Sequence, residues 1–288
     1  PIAYETLGKP GDPAIVLIMG LGMQLTSWPE AFCQALADAG FWVVRFDNRD
    51  SGLSARVLGR KQAPLPLAIA ASLLRLPVRC PYTLQDMALD AIRVMNALQI
   101  ERAHLVGASM GGMIAQVLAA KYPQRVLSLT SIMSSSGNPR VSRPSARAQG
   151  ALLSRPKNPH DPASVVEHLI QVFGVIGSPA YPEHPDTLRQ RIAFGVHRAY
   201  DPAGTTRQLL AVIASGDRRK LLHSIQAPTL VIHGAADPLV PLAAGRDTAA
   251  NITGASLHVI EGMGHDLPSA LLPRLAALIV AFLKQSRN

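Results

Sequence analysis

A serine between glycines is the strongest chemical signal in this sequence. Residues Gly107 to Gly111 read G-A-S-M-G, between a predicted buried strand, His104 to Val106, and a predicted helical run, Met113 to Ala120. A tight turn from strand to helix can hold a serine hydroxyl clear of the backbone, where glycines avoid clashes with a Cβ atom. The pattern alone arises by chance about once in ten chains of this length. The flanking elements therefore carry the prediction that Ser109 is a nucleophile rather than part of a structural turn.

His265 is the predicted base. A serine hydroxyl is a weak nucleophile until an imidazole accepts its proton. The run Gly262 to Asp266 lies between the last predicted strand, Ser256 to Ile260, and the last predicted helix, Leu271 to Leu283. Because the C-terminal ends of parallel strands meet at one edge of a sheet, we expect His265 and Ser109 to share that edge. The alternative for His265 is an ordinary histidine on a surface loop.

Asp237 is the predicted acid that orients this imidazole. It follows the predicted strand Thr229 to Ile232, so it should lie at the same edge of the sheet. The chain order serine, acid, histidine is one in which such triads occur. Asp247 falls inside the next helical stretch and Asp266 is adjacent to the histidine, so both suit the role less well. The structural alternative for Asp237 is a turn that starts at Asp-Pro.

Two backbone N–H groups are predicted to stabilise the negative oxygen that forms when the serine attacks a carbonyl. One belongs to Met110, the residue after the nucleophile. The other is assigned to Leu21, in the glycine-rich run Met19 to Met23 at the end of the first predicted strand. Glycines in this run would allow the chain to approach a substrate closely. A plain glycine turn is the alternative.

Short apolar runs alternate with amphipathic helices along the chain. The predicted strands are Ala14 to Met19, Trp42 to Phe46, His104 to Val106, Val126 to Ile132, Thr229 to Ile232 and Ser256 to Ile260. The predicted helices include Glu30 to Ala39 and Leu84 to Leu98, the second with Thr83 as its N-cap. This alternation predicts an α/β fold with a mostly parallel sheet covered on both faces.

Two stretches interrupt the alternation. Val57 to Pro81 contains the apolar run Leu65 to Leu76, and Gly137 to Lys220 is rich in Pro, Ser and Arg with helical patches such as Ala163 to Phe173. A regular strand and helix pattern resumes at Pro228. We therefore predict a core domain over 1–136 and 221–288, and a cap or lid over 137–220 that excludes water and shapes a substrate pocket.

The net charge of +9 is concentrated in the same two stretches. Val57 to Pro81 has four basic residues and no acidic one, and Gly137 to Lys220 has twelve basic against six acidic. If these stretches frame the pocket, they would attract an anionic substrate or an anionic membrane surface, with Leu65 to Leu76 as an acyl contact. The alternative is a solvated basic face. Nucleic-acid binding is not predicted, because aromatic content is only 5% and no recognition-helix pattern occurs.

Neither a cofactor nor a metal ion is predicted. The cysteines, Cys33 and Cys80, have no metal-ligand spacing, and two free thiols are expected, with one disulfide left open. The N-terminus has no signal-peptide pattern and no apolar stretch of about 18 residues occurs. We therefore predict a cytoplasmic protein, while a leader removed before Pro1 would escape notice. Contact with a membrane surface and the oligomeric state are left open.

Taken together, these runs resemble the α/β-hydrolase superfamily over nearly the whole chain. Within it, the runs Met19 to Gly22, Arg45 to Ser54, Gly107 to Gly112 and Gly262 to Pro268 are similar to bacterial serine carboxylesterases grouped near aclacinomycin methylesterase. The resemblance implies a mostly parallel sheet flanked by helices, with a helical cap. Many relatives have His-Gly at the oxyanion loop, and here Met19 replaces that histidine. Asp47 to Ser54 is interpreted as a structural brace at that edge of the sheet.

The expected activity is hydrolysis of a small-molecule carboxylic ester through an acyl-enzyme on Ser109. A serine nucleophile argues against the haloalkane dehalogenases and epoxide hydrolases of this fold, which use an aspartate. Lipase, thioesterase, lactonase, acyltransferase and perhydrolase activities stay open, as does a small-molecule receptor built on the same scaffold. Activity should require neutral His265 and so fall below about pH 6 to 7.

Overall fold

A seven-stranded sheet lies at the centre of the protein. The computed structural model describes residues 1–59, 62–74 and 76–286. Its strands are β1 (Tyr4–Leu7), β2 (Ala14–Ile18), β3 (Trp42–Phe46), β4 (Ala103–Ala108), β5 (Val126–Ile132), β6 (Thr229–Gly234) and β7 (Ser256–Ile260). Their order across the sheet is β1-β3-β2-β4-β5-β6-β7, with β1 antiparallel to β3 and the other neighbours parallel. The predicted mostly parallel sheet is therefore confirmed.

The predicted strands are all present, and their ends differ from the prediction by no more than two residues. The sequence pattern does not predict β1. Tyr4, Glu5 and Thr6 are exposed in this edge strand, which has neither an apolar run nor a clear alternation of apolar and polar residues. Its position next to β3 depends on backbone pairing, on two hydrogen bonds from Arg45 of β3 to Glu5, and on the packing of Leu7 against the core.

Helices cover both faces of the sheet. They are α1 (Glu30–Asp38), α2 (Leu65–Leu73), α3 (Leu84–Ala97), α4 (Met110–Lys121), α5 (Ala146–Leu153), α6 (Pro162–Ile176), α7 (Pro185–Arg198), α8 (Pro202–Ser215), α9 (Arg219–Leu222), α10 (Leu242–Ala250) and α11 (Leu272–Gln285). Thr83 caps α3 as predicted: its side chain accepts from the N–H of Asp86, whose carboxylate accepts from the N–H of Thr83. Within the described ranges, no helix combines the length and apolar character needed to cross a membrane.

Alternate residues of the central strands supply two separate cores. Val16 and Ile18 of β2 belong to the core that includes α3 and α4, whereas Ile15 and Leu17 belong to the core that includes α1 and α11. Burial on both faces explains why these strands read as unbroken apolar runs. Cys33 lies in the second core, where burial raises the pKa of its thiol to about 11. Cys33 and Cys80 are both free.

Five helices, α5 to α9, lie between β5 and β6 in the chain. The predicted cap, 137–220, covers this insertion except for the last residues of α9. The other interrupting stretch, Val57 to Pro81, contains α2, which packs against α8. Three of its four basic residues, Arg60, Lys61 and Arg75, lie outside the described residues.

Buried ion pairs join the loop after β3 to two helices of the insertion. Asp47 accepts a hydrogen bond from Arg198 of α7 at 2.8 Å. Asp50 accepts two from Arg207 of α8, at 2.9 and 2.7 Å. The side chains of Asp47 and Asp50 are fully buried, so each carboxylate depends on its arginine for compensation. These contacts match the bracing role that the sequence analysis gave to Asp47 to Ser54.

Replacing Arg207 with alanine is expected to destabilise the protein by about 3 to 5 kcal/mol, because it leaves the buried carboxylate of Asp50 without its charged partner. Chemical unfolding followed by circular dichroism measures this loss. Arg189→Ala is the matched control: Arg189 pairs with Glu167 on the surface, where both side chains are about half exposed, and little change is expected. Equal losses in the two variants would contradict the prediction.

Candidate active site

Ser109 lies at a sharp turn between β4 and α4. Its backbone has φ 54° and ψ −118°, in a region that is strained for a residue with a Cβ atom. Its N–H donates to the carbonyl of Ile132 at 2.9 Å, which holds the turn against β5. A Cβ at Gly107 would lie 2.3 Å from the carbonyl oxygen of Gly111, and one at Gly111 would lie 1.9 Å from that of Ile18. Close backbone contact therefore requires glycine at both positions.

The structure brings Ser109, His265 and Asp237 into one chain of hydrogen bonds. The Nε2 atom of His265 is 2.9 Å from Ser109 Oγ, and its Nδ1 atom is 2.7 Å from Asp237 Oδ2. A carboxylate only accepts hydrogen bonds, so Nδ1 carries the proton and Nε2 is free to accept from the serine hydroxyl. The carboxylate is fully buried and the imidazole nearly so, which shields the pair from water. This arrangement can activate a serine hydroxyl.

The second oxygen of Asp237 holds the acid in place. Oδ1 accepts from the backbone N–H groups of Leu239 and Val240, at 2.9 and 2.8 Å. Asp237 thus starts a turn and also bonds to the histidine, so the predicted catalytic role and the structural alternative are compatible. His233 at the end of β6 donates from Nε2 to the carbonyl of Val240 at 2.8 Å and fixes the same loop. Burial lowers the pKa of His233, so it stays neutral there.

The two alternative carboxylates have other partners. Asp247 accepts from the side-chain amide of Asn138 at 2.8 Å. Asp266 accepts from the hydroxyl of Ser178, and burial raises the pKa of its carboxyl while that hydrogen bond opposes the rise. The sequence already favoured Asp237 over these two residues, and of the three it is Asp237 whose carboxylate is bonded to the His265 imidazole.

The glycine-rich run after β2 passes directly beside the serine. A Cβ at Gly20 would lie 3.2 Å from Ser109 Cβ. The N–H of Gly22 donates to Gln208 of α8 at 2.8 Å, and the N–H of Met23 donates to the carbonyl of Gly20 at 3.2 Å. These bonds occupy the N–H groups of the two residues that follow Leu21. Its role stays a prediction.

The other predicted donor, Met110, is the first residue of α4. The structure starts this helix three residues earlier than predicted, so the Met110 N–H is one of the groups at a helix N-terminus that have no partner within the helix. The glycine-rich loop has a side-chain contact at its start: the side-chain amide of Asn48 donates to the carbonyl of Met19 at 2.9 Å. Asn48 therefore supports the loop where many relatives have a histidine.

The loop that carries His265 is held by the end of α6 and the residues after it. The N–H of His265 donates to the carbonyl of Ile176 at 2.7 Å, and the N–H of Gly264 donates to the hydroxyl of Ser178 at 2.8 Å. The same hydroxyl donates to Asp266. No sequence motif indicated Ser178, since its partners are more than 80 residues away in the chain.

Replacing Ser178 with alanine is expected to lower both stability and kcat. The change leaves the Gly264 N–H without its partner and removes the hydroxyl donor to the Asp266 carboxylate, which keeps a hydrogen bond from the backbone of Ser178. We expect a cost of about 1 to 3 kcal/mol. The lost hydroxyl bond favours the ionised carboxyl, whose folded pKa is raised above its ordinary value, so the stability difference from the wild type should be smaller in acid and grow as the pH rises through that pKa.

Unfolding at several pH values measures this difference. Ser154→Ala is the control, since the Ser154 hydroxyl is exposed and bonds only locally, to the carbonyl of Ala151. A loss in Ser178→Ala that shrinks as the pH rises would contradict the proposed hydrogen-bond role.

Comparison with known proteins identifies the family. The alpha/beta hydrolase fold family matches residues 13–268, which is most of the chain. The chain belongs to this family.

Within the described residues, no group of three or more His, Cys, Asp or Glu side chains could hold a metal ion.

Relatives in the family agree with the resemblance seen in the sequence. Rhodomycin D methylesterases of Streptomyces sp. (strain C5) and Streptomyces peucetius are each 30% identical, over 96% of this chain and 93% of their own. A hydrolase of known structure from Pseudomonas aeruginosa is 26% identical with a TM-score of 0.72, covering 98% of this chain and 94% of that one. The predicted α/β-hydrolase fold is confirmed, and the chain is placed among esterase-type hydrolases.

Proposed function

We propose that this protein hydrolyses a carboxylic ester through an acyl-enzyme on Ser109. The observation that carries the proposal is the pair of hydrogen bonds, at 2.7 and 2.9 Å, that link Asp237, His265 and the serine at the strained turn. A strained, glycine-flanked serine without a nearby base would be only a structural turn. A base oriented by a buried carboxylate gives that serine a chemical use.

The reaction has two halves. Ser109 Oγ attacks the ester carbonyl while His265 Nε2 takes its proton, and the N–H groups of Leu21 and Met110 stabilise the oxygen that becomes negative. The intermediate collapses when His265 returns the proton to the leaving alcohol, which leaves the acyl group on the serine. Water then gives a proton to His265 and attacks the acyl-enzyme. Collapse of this second intermediate releases the acid and restores the serine hydroxyl.

We also propose that residues 137–220 act as a cap over this site. Contacts on two sides of the serine support the assignment: Ile176 and Ser178 hold the histidine loop, and Gln208 holds the glycine-rich loop. A cap with these contacts would exclude water from the charged intermediates and shape the pocket for the substrate. Since one loop carries His265 and the other passes beside Ser109, movement of the cap would alter the alignment of the reacting groups.

Methyl esters are the substrate class to test first. The two relatives at 30% identity are rhodomycin D methylesterases, which supports methyl esters as the starting point. The basic excess of the cap segment supports the inclusion of acids that carry a second negative charge. If the kcat/KM for an anionic ester is no more sensitive to salt than that for a neutral ester, electrostatic attraction of the substrate is wrong.

The decisive experiment combines turnover with labelling. Hydrolysis of p-nitrophenyl esters of increasing acyl length, and of methyl esters, measures activity and pocket size together. A serine-directed phosphonate should abolish turnover and add its mass at Ser109 alone. A lack of turnover on every ester, or labelling at a different serine, would contradict the proposed function. Tight binding of an ester without hydrolysis would favour a receptor.

A further inference from the structure

Exposed leucines are concentrated on and around α2. Of the nine large hydrophobic side chains that are exposed in the described part of the chain, six lie between positions 53 and 76. They are Leu53, Leu58, Leu67, Leu73, Leu74 and Leu76. Scattered exposed leucines are ordinary on a protein surface, but Leu67, Leu73 and Leu74 lie together on α2 and at its C-terminal end, and a concentration of this kind indicates a surface that binds something.

The outer face of α2 is apolar throughout. Pro66, Leu67, Ala70, Leu73 and Leu74 are all exposed, and their spacing places them on one side of the helix. The opposite side is anchored, since Ala68 is fully buried and α2 packs against α8. A helix on a surface that faces water normally has charged or polar residues on its outer side. This helix instead presents leucines to the surroundings while its inner side is held in the fold.

The stretch of sequence that contains α2 carries charge of only one sign. Val57 to Pro81 contains Arg60, Lys61, Arg75 and Arg79 and no acidic residue. Arg79 is exposed, and the other three lie outside the described residues. An apolar helix face within a basic segment of the sequence complements an anionic lipid surface, where leucines enter the acyl boundary and cations meet the headgroups. A second copy of the chain fits less well, because two such faces would bring like charges together.

We propose that α2 and the leucines beside it dock this protein on an anionic lipid surface. On its inner side α2 contacts α8, and Gln208 of α8 bonds to Gly22 in the run beside Ser109, so the docking surface is linked to the candidate site through α8. The docking itself does not depend on Ser109 being catalytic.

Vesicle sedimentation tests the proposal without measuring turnover. The full chain is mixed with vesicles of phosphatidylcholine alone or with phosphatidylglycerol added, at salt from about 0.05 M to about 0.5 M. We expect binding to the phosphatidylglycerol vesicles that weakens as salt rises. The double variant Leu67→Ser, Leu74→Ser should bind at least about tenfold more weakly, the scale expected when two leucine side chains can no longer be buried. The control Leu153→Ser, Phe194→Ser changes exposed apolar residues outside the cluster and should bind like the wild type.

Three results would overturn the proposal. They are absence of binding to phosphatidylglycerol vesicles at low salt, equal binding to neutral vesicles at every salt concentration, and unchanged binding of the Leu67 and Leu74 variant. Light scattering tests whether a second copy of the chain covers this surface instead. A dimer that dissociates in the Leu67 and Leu74 variant would show that the surface is a contact between two copies. Thermal melting shows whether each variant is folded, and the single variant Leu76→Ser serves if the double variant is not.

Discussion

Ser109→Ala is expected to lower kcat by at least about a thousandfold while the protein keeps its fold and its substrate affinity. The hydroxyl is the atom that forms the acyl bond, and no neighbouring group can replace it. Alanine has a Cβ of the same size, so the strained turn and its hydrogen bond to Ile132 should persist. Steady-state kinetics on a p-nitrophenyl ester measures the loss, and thermal melting confirms the fold. The variant should also fail to react with the phosphonate.

Ser224→Ala is the matched control, because the Ser224 hydroxyl is exposed and bonds only to the carbonyl of Leu221. It should keep wild-type kinetics. A Ser109→Ala variant with more than about a tenth of the wild-type kcat would exclude an acyl-enzyme on this residue. Loss of activity together with loss of the melting transition would instead indicate damage to the turn, and the phosphonate label on the wild type would then decide the question.

Asp237→Asn is expected to lower kcat by about a thousandfold to ten-thousandfold with little change in KM, the scale known for the corresponding substitution in a serine protease triad. Oδ1 must still accept from the N–H groups of Leu239 and Val240, so the new amide nitrogen faces His265. An amide donor there requires the imidazole Nδ1 to accept, which moves its proton to Nε2. In that tautomer the histidine cannot take the proton of Ser109.

The carboxylate next to the histidine in the chain provides a demanding control for this prediction. Asp266→Asn removes a negative charge close to His265 but keeps an oxygen that can accept from Ser178. We expect its kcat to stay within about tenfold of the wild type, since the tautomer of His265 does not depend on it. A large loss in Asp266→Asn and a small one in Asp237→Asn would show that the acid has been assigned to the wrong residue.

The two expected losses have a common structural origin. The hydroxyl, the imidazole and the carboxylate belong to loops that follow β4, β7 and β6, so the sheet brings them to one edge. The cap segment then holds the histidine loop through Ile176 and Ser178. Variants in the sheet core should affect stability first, whereas variants in these loops should affect kcat first.

Local pattern was sufficient to predict six of the seven strands and the position of the candidate site. Strands buried on both faces read as short apolar runs, and the glycines on either side of Ser109 mark a turn with no room for a Cβ at positions 107 and 111. Since functional loops of a parallel sheet follow the C-terminal ends of its strands, the sequence also indicated where Asp237 and His265 should lie. These features depend on neighbours a few residues away, so they can be read along the chain.

Other features were decided by contacts between distant parts of the chain. Strand β1 is mostly exposed, and it is held by backbone pairing with β3 and by the hydrogen bonds from Arg45 to Glu5. The sequence favoured Asp237 over the neighbouring carboxylates, but only the fold brings its Oδ2 atom to 2.7 Å from His265 Nδ1. Ser178 forms hydrogen bonds to Gly264 and Asp266 in the histidine loop, and Asp50 is buried in an ion pair with Arg207. Both sets of contacts join residues that are far apart in the sequence. Such contacts leave no repeating pattern in the local sequence, because they form between groups that meet only after the chain has folded.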